Sequence, residues 1–93
     1  MISCERGRCT VQGPLTMANV TGVLQESARL FQGDEILVDL QGVTEVDSAA
    51  VSLLLEWRRQ ALATKRRIEY VNLPSNLKSL ADLYGVSDLL GAS

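Results

Sequence analysis

Ninety-three residues, 46% of them hydrophobic and with a formal charge of −2, make one small domain (residues 1–93) with enough apolar content to fold alone. That balance excludes a disordered chain and gives no electrostatic reason to expect nucleic acid or an anionic membrane surface as partner. No run reaches the roughly 18–20 apolar residues that span a bilayer, and Met1-Ile2-Ser3-Cys4-Glu5-Arg6 lacks an apolar signal core, so a cytosolic chain without direct membrane insertion is expected.

Residues 2–5 and 8–13 are predicted as a hairpin. Cys9 and Val11 alternate with Thr10 and Gln12 as in a half-buried strand, and Gly13-Pro14 ends it. Cys4 and Cys9 flank Glu5-Arg6-Gly7-Arg8. With no histidine and no further cysteine, a four-ligand zinc site within one chain is not expected. A turn at Arg6-Gly7 would set the two thiols face to face across the strands. In a reducing compartment they stay small buried hydrophobes.

Residues 17–32 are predicted as a helix. Val20, Val23, Leu24, Ser27, Ala28 and Phe31 recur at helical spacing as one stripe, with Thr16 as N-cap and Gly33 just past the end. Gly22 lies inside this helix at a cost of about 1 kcal/mol relative to alanine, which suggests a close approach to another backbone. The run Ile36-Leu37-Val38-Asp39-Leu40 suits a strand covered on both faces, and Gln41-Gly42 then turns the chain.

Val43 and Val46 lead into a second helix, from about Ser48 to Thr64. Its apolar residues Ala50, Val51, Leu53, Leu54, Leu55, Trp57, Ala61 and Leu62 span roughly 200° at 100° per residue, where a helix on a sheet needs little over 100°. The excess calls for contacts on two sides: the sheet, and either a neighbouring helix or a partner protein. Arg66–Asn72 is predicted as a strand packing through Ile68, Tyr70 and Val71. Ser75 caps a third helix with Leu77, Leu80, Ala81 and Tyr84 on one face, ended by Gly85; a last turn from Ser87 buries Leu89 and Leu90. Strands alternating with helices imply parallel neighbours joined by right-handed crossovers, and the initial hairpin adds antiparallel pairing. The fold class is therefore α/β, with a mixed four-stranded sheet and three to four helices.

Little in the chain looks catalytic. There is no histidine to act as a base near neutral pH, and no HExxH, P-loop or nucleophile-elbow pattern occurs. The informative stretch is Asp47-Ser48-Ala49-Ala50-Val51. It places an exposed hydroxyl, Ser48, at the positive end of a helix capped by Asp47, where a phosphate could be accepted or a partner could read it. Phosphate there would be repelled by Asp47, so it would sooner break a binding surface than tighten the fold. Leu55 and Arg58 extend the candidate surface along the helix. Asp39 is expected to accept hydrogen bonds from the 41–47 connection and so fix the approach to Ser48. The basic group Arg58, Arg59, Lys65, Arg66 and Arg67 reads as a solvated helix end, with Arg58 either snorkelling or pairing with an acid. Trp57 reads as core or partner contact.

These segments resemble the STAS domain family, shared by bacterial anti-sigma-factor antagonists and the C-terminal regions of sulfate transporters. The resemblance rests on Gly13-Pro14-Leu15-Thr16 after the hairpin, on Ile36–Leu40 leading to Val46-Asp47-Ser48, and on the leucine-rich helix that follows. The family's Asp-Ser/Thr-x-Gly motif corresponds to Asp47-Ser48-Ala49-Ala50, with Ala50 in place of glycine. The tail Leu77–Val86 is most similar to that of the small STAS subunit of Mla-type phospholipid transporters, also known from toluene-tolerance operons. The resemblance implies a non-catalytic cytosolic subunit without cofactor. It would bind the transporter's ABC ATPase through Asp47, Ser48, Ala49, Ala50, Val51, Leu55 and Arg58 and support outer-membrane lipid asymmetry. The alternative it implies is an anti-sigma-factor antagonist whose Ser48 is phosphorylated by a kinase partner.

Overall fold

The computed structural model describes residues 1–90, so the last three positions of the expected 1–93 domain lie outside the described residues. β1 (Ile2–Glu5) and β2 (Arg8–Leu15) form the antiparallel hairpin. They turn through Arg6 and Gly7, both at positive φ (53° and 82°), as a type I′ turn requires. α1 (Val20–Leu30), β3 (Glu35–Val46), α2 (Ser48–Ala63), β4 (Arg67–Val71) and α3 (Ser75–Leu83) follow. The sheet order is β1-β2-β3-β4, with β2–β3 and β3–β4 parallel. The fold is thus the expected α/β arrangement, a mixed four-stranded sheet with an N-terminal hairpin and three helices among the described residues.

Two strands run past their expected ends. β2 continues through Gly13-Pro14 to Leu15. Gly13 stands at φ 91° and the register with β3 shifts between Gly13 and Leu15, so the proline, with no N–H to give, falls in the irregularity. β3 does not turn at Gln41-Gly42 but continues to Val46, with Gly42 beside Gln12. A Cβ on Gly42 would lie 2.9 Å from Gln12 Cγ and 3.2 Å from the Val11 carbonyl oxygen. The close-approach glycine is therefore Gly42. Gly22, expected in that role, is exposed with open space around it.

α1 is shorter than the expected 17–32. Asn19, not Thr16, holds the N-cap position, because residues 16–19 form a turn of their own: the Thr16 N–H donates to Asn19 Oδ1 at 2.7 Å. At the far end Phe31 is already extended, and Gly33 (φ 91°) belongs to the connection. Ala28, placed on the apolar stripe, is exposed. In α3 the cap position is Pro74 rather than Ser75, and Tyr84 and Leu89 face solvent while Leu77, Ala81 and Leu90 are buried.

The strands alternate. Ile36, Val38 and Leu40 share one core with Val51, Leu54, Trp57, Leu77 and Ala81, so the helices cover this face. Arg8, Thr10, Leu37, Asp39, Arg67 and Glu69 occupy the other, more open face. β3 is thus not apolar on both sides. α1 and α3 flank α2, and these neighbours absorb most of its wide apolar arc; Leu62, 60% exposed, is outside it. Trp57 is core: its ring lies 4.9 Å from that of Phe31, and its N–H donates to Ser27 Oγ at 2.8 Å. Cys4 and Cys9 do face each other in register, but as a disulfide rather than as the two thiols expected.

Candidate recognition site at the start of α2

Parallel neighbours end on the same side of a sheet. Leu15 pairs with Val46, so the connection into α1 and the start of α2 leave the sheet together. Asp47 joins them. It stands in extended conformation at the N-cap, where its Oδ1 accepts the Ala49 N–H at 2.8 Å and its Oδ2 accepts the Met17 N–H at 3.0 Å. Its own N–H donates to the Leu15 carbonyl at 3.4 Å. One carboxylate therefore caps α2 and anchors the segment that opens α1.

Ser48 follows as the first helical residue and is exposed at the positive end of the helix dipole. Both Asp47 oxygens accept backbone N–H groups, and among the described residues no hydrogen bond joins the carboxylate to the Ser48 hydroxyl. Among the described residues no three His, Cys, Asp or Glu side chains gather as metal ligands. The arrangement presents an exposed hydroxyl at a capped helix start.

Beside Ser48 runs a groove of about 510 Å³ between α1 and α2. Val20, Leu24, Ala49 and Leu53 contribute to it, with Met17, Thr21, Ser52 and Glu56 completing the lining. Met17 is 79% exposed, a large apolar side chain held out by the tether on its own N–H. Neither Met17 nor Ser52 stands out in the sequence. The available signal was topological: parallel β2 and β3 bring residues 16–19 to the start of α2.

The structure divides the remaining candidates. Ala49 is half-buried at the groove. Ala50 and Val51 are buried in the core and cannot meet a partner. The methyl of Ala50, standing where the motif has glycine, packs fully inside. Leu55 is half-buried against the core and does not line the groove. Arg58 lies ten residues along α2, about 15 Å from Ser48 at 1.5 Å per residue. It lines a separate depression of about 370 Å³ with Tyr70, Asp88 and Leu89. Burial pushes the Tyr70 hydroxyl well above its ordinary range, against the opposing effect of the Arg58 charge. That hydroxyl donates to the Leu54 carbonyl at 2.6 Å. The basic group is largely engaged too: Arg59 pairs with Glu56 and Arg67 with Glu35, and Arg66 donates to the Phe31 carbonyl.

Asp39 accepts the expected hydrogen bond from the 41–47 segment. Its Oδ1 accepts the Gln41 N–H at 2.9 Å and the Asn72 amide at 3.2 Å, and its Oδ2 pairs with Arg8 at 2.7 Å. It ties β2, β3 and the exit of β4 together on the open sheet face. The Gln41 N–H above all, with Asn72 and Arg8, holds its carboxyl below the ordinary value near 3.8 despite burial.

The family model described as Mlab, STAS domain, matches residues 2–91. No curated protein matches the chain. Among solved structures, the unphosphorylated anti-sigma factor antagonist SpoIIAA is similar over 95% of this chain and 82% of its own, with 14% identity and a TM-score of 0.74. The murine Slc26a9 anion transporter in its inward-facing state is similar over 87% of this chain and 14% of its own, with 21% identity and a TM-score of 0.73. Mglu is similar over 81% of this chain and 20% of its own, with 22% identity and a TM-score of 0.63. The chain thus spans a fifth or less of the length of these last two proteins. At such identities the likenesses show a shared fold.

Proposed function

The chain belongs to the STAS domain family, and we propose that within it the protein is a non-catalytic subunit of a Mla-type phospholipid ABC transporter. It binds the transporter's cytoplasmic ATPase and supports its assembly and activity, and through it outer-membrane lipid asymmetry. On this reading the protein is cytoplasmic and reaches the inner membrane only through its partners; no helix among the described residues is long and apolar enough to cross a membrane. The observation that carries the reading is the tether from Asp47 to Met17, which sets an exposed Ser48 beside an apolar groove. A hydroxyl next to unfilled apolar surface is what a protein partner can cover. The docking surface is Asp47, Ser48 and Ala49 with Met17, Thr21 and Ser52. Co-purification with the ATPase encoded nearby tests it. Retained binding and transport in Ser48→Glu would end the role given to this residue.

A second reading is an anti-sigma-factor antagonist switched by phosphorylation of Ser48. The likeness to SpoIIAA over most of both chains favours it, and the exposed hydroxyl at the first position of α2 suits it. Alanine at position 50, against the glycine of that motif, leans to the transporter. Incubation with candidate kinases and ATP, read by intact mass, separates the two: a single phosphate on Ser48 selects the switch.

A further inference from the structure

We propose that the Cys4–Cys9 bridge is a thiol–disulfide exchange site, opened by an external thiolate that attacks Cys4. The two cysteines stand directly opposite each other across the β1–β2 hairpin. The bridge encloses only Glu5-Arg6-Gly7-Arg8. A structural disulfide stabilises a small domain by closing a long loop, and this one closes almost none. The hairpin has other supports. Its turn is pre-set at Arg6-Gly7, the Gly7 carbonyl accepts the Leu37 N–H at 2.8 Å, and the Ile2 N–H donates to Glu26 on α1 at 2.8 Å. Opening the bridge therefore leaves the domain folded, which is the condition for a reversible site.

The two sulfurs are not equivalent. Cys9 is 2% exposed beneath the helices, whereas Cys4 is half-buried on an edge strand. The depression of about 430 Å³ lined by Ser3, Glu5, Arg6, Arg8 and Thr10 lies on the opposite, open face of the hairpin, so a thiolate reaches Cys4 from the free edge of β1. Arg8 is paired with Asp39, but Arg6 enters none of the ion pairs found among the described residues. Its charge favours the approach of an anionic thiolate.

The external thiolate bonds to Cys4 Sγ, the Cys4–Cys9 bond breaks, and Cys9 leaves with the electron pair as a thiolate. A second thiolate then bonds to the external sulfur and releases Cys4. Two electrons pass from the external pair of thiols to the protein, and both cysteines take protons from water. Run backwards with a disulfide oxidant, the same steps close the bridge.

The test uses the oxidised full chain in native buffer, with dithiothreitol in one arm and glutathione in the other. Alkylation and intact mass should show two free thiols appearing much faster than global unfolding allows. Cys9→Ala should take one glutathione from oxidised glutathione, and Cys4→Ala should resist. If both variants misfold, peptide mapping of the trapped wild-type mixed disulfide gives the same answer, with the adduct on Cys4. Opening by dithiothreitol alone assigns a dithiol reductant, and opening by glutathione with an adduct on Cys4 assigns a monothiol. Thiols that appear only as fast as the protein unfolds overturn the proposal, as does an adduct on Cys9.

Discussion

The carboxylate of Asp47 and the backbone N–H of Met17, thirty positions apart in the chain, meet at 3.0 Å, while the other oxygen of the same carboxylate caps α2. The two bonds can be separated. Asp47→Asn can keep the cap through its carbonyl oxygen, but its amide nitrogen cannot accept the Met17 N–H. Asp47→Ala loses both. We expect Asp47→Ala to cost about 1–2 kcal/mol in urea unfolding and Asp47→Asn less. Both should weaken partner binding, because both release Met17. A cost for Asp47→Ala within about 0.5 kcal/mol of zero would mean that the bonds are not held in solution.

This tether also marks where sequence reading stops. The cap and the exposed Ser48 were legible, because each depends on residues one or two positions away. Met17 was not, because its place depends on strand pairing thirty residues off. Ala50 and Val51 show a different error. They share a motif with Ser48, yet both are buried: at 100° per residue Ala50 turns about 200° from it, while Val51 stands only about 60° away and is covered all the same. Neighbours in a motif need not share a surface. Gln41-Gly42 looks like a turn by local chemistry, and only the parallel partner β2 shows why the glycine is there.

The two misread glycines predict opposite effects. Gly22→Ala sits in open space on the exposed side of α1 and should stabilise the protein by up to about 1 kcal/mol. Gly42→Ala must push against Gln12 and the Val11 carbonyl and should destabilise it. Thermal unfolding of both variants decides. Equal shifts of the same sign would contradict the β2–β3 packing at this point.

Ser27 is the polar residue at the centre of the core, 1% exposed. Its hydroxyl donates to the Leu24 carbonyl at 2.6 Å and accepts the Trp57 N–H at 2.8 Å. Ser27→Ala leaves the indole N–H unpaired in the interior, at an expected cost of about 1–3 kcal/mol. Trp57 is the chain's single tryptophan, so its fluorescence should follow both the unfolding and any change in local environment.

Asp39 predicts part of the acid response. The residue is 7% exposed, and its carboxyl is held below its ordinary value, first by the Gln41 N–H and then by Asn72 and Arg8. A depressed folded-state value means the unfolded chain binds the proton more readily. The contribution is therefore complete above the unfolded value near 3.8 and is lost as pH falls through the lower folded one. Asp39→Asn should flatten the stability profile in that acid window. It should also lower stability near neutral pH, because the charge on Arg8 loses its partner. An unchanged acid slope would show that other carboxylates carry it.

The last prediction concerns the docking surface. Met17→Glu puts a charge on the rim of the α1–α2 groove, and Ser48→Glu puts one at the start of α2. Both positions are exposed, so each variant should unfold within about 0.5 kcal/mol of the parent. Each should nevertheless abolish co-purification of the ATPase, since burying an unpaired charge in an interface costs far more than it costs the free protein. Arg58→Ala, on the separate depression, should leave that binding intact. If Arg58→Ala abolishes binding and Met17→Glu does not, the partner sits on the α3 side of α2, and the groove beside Ser48 has no part in recognition.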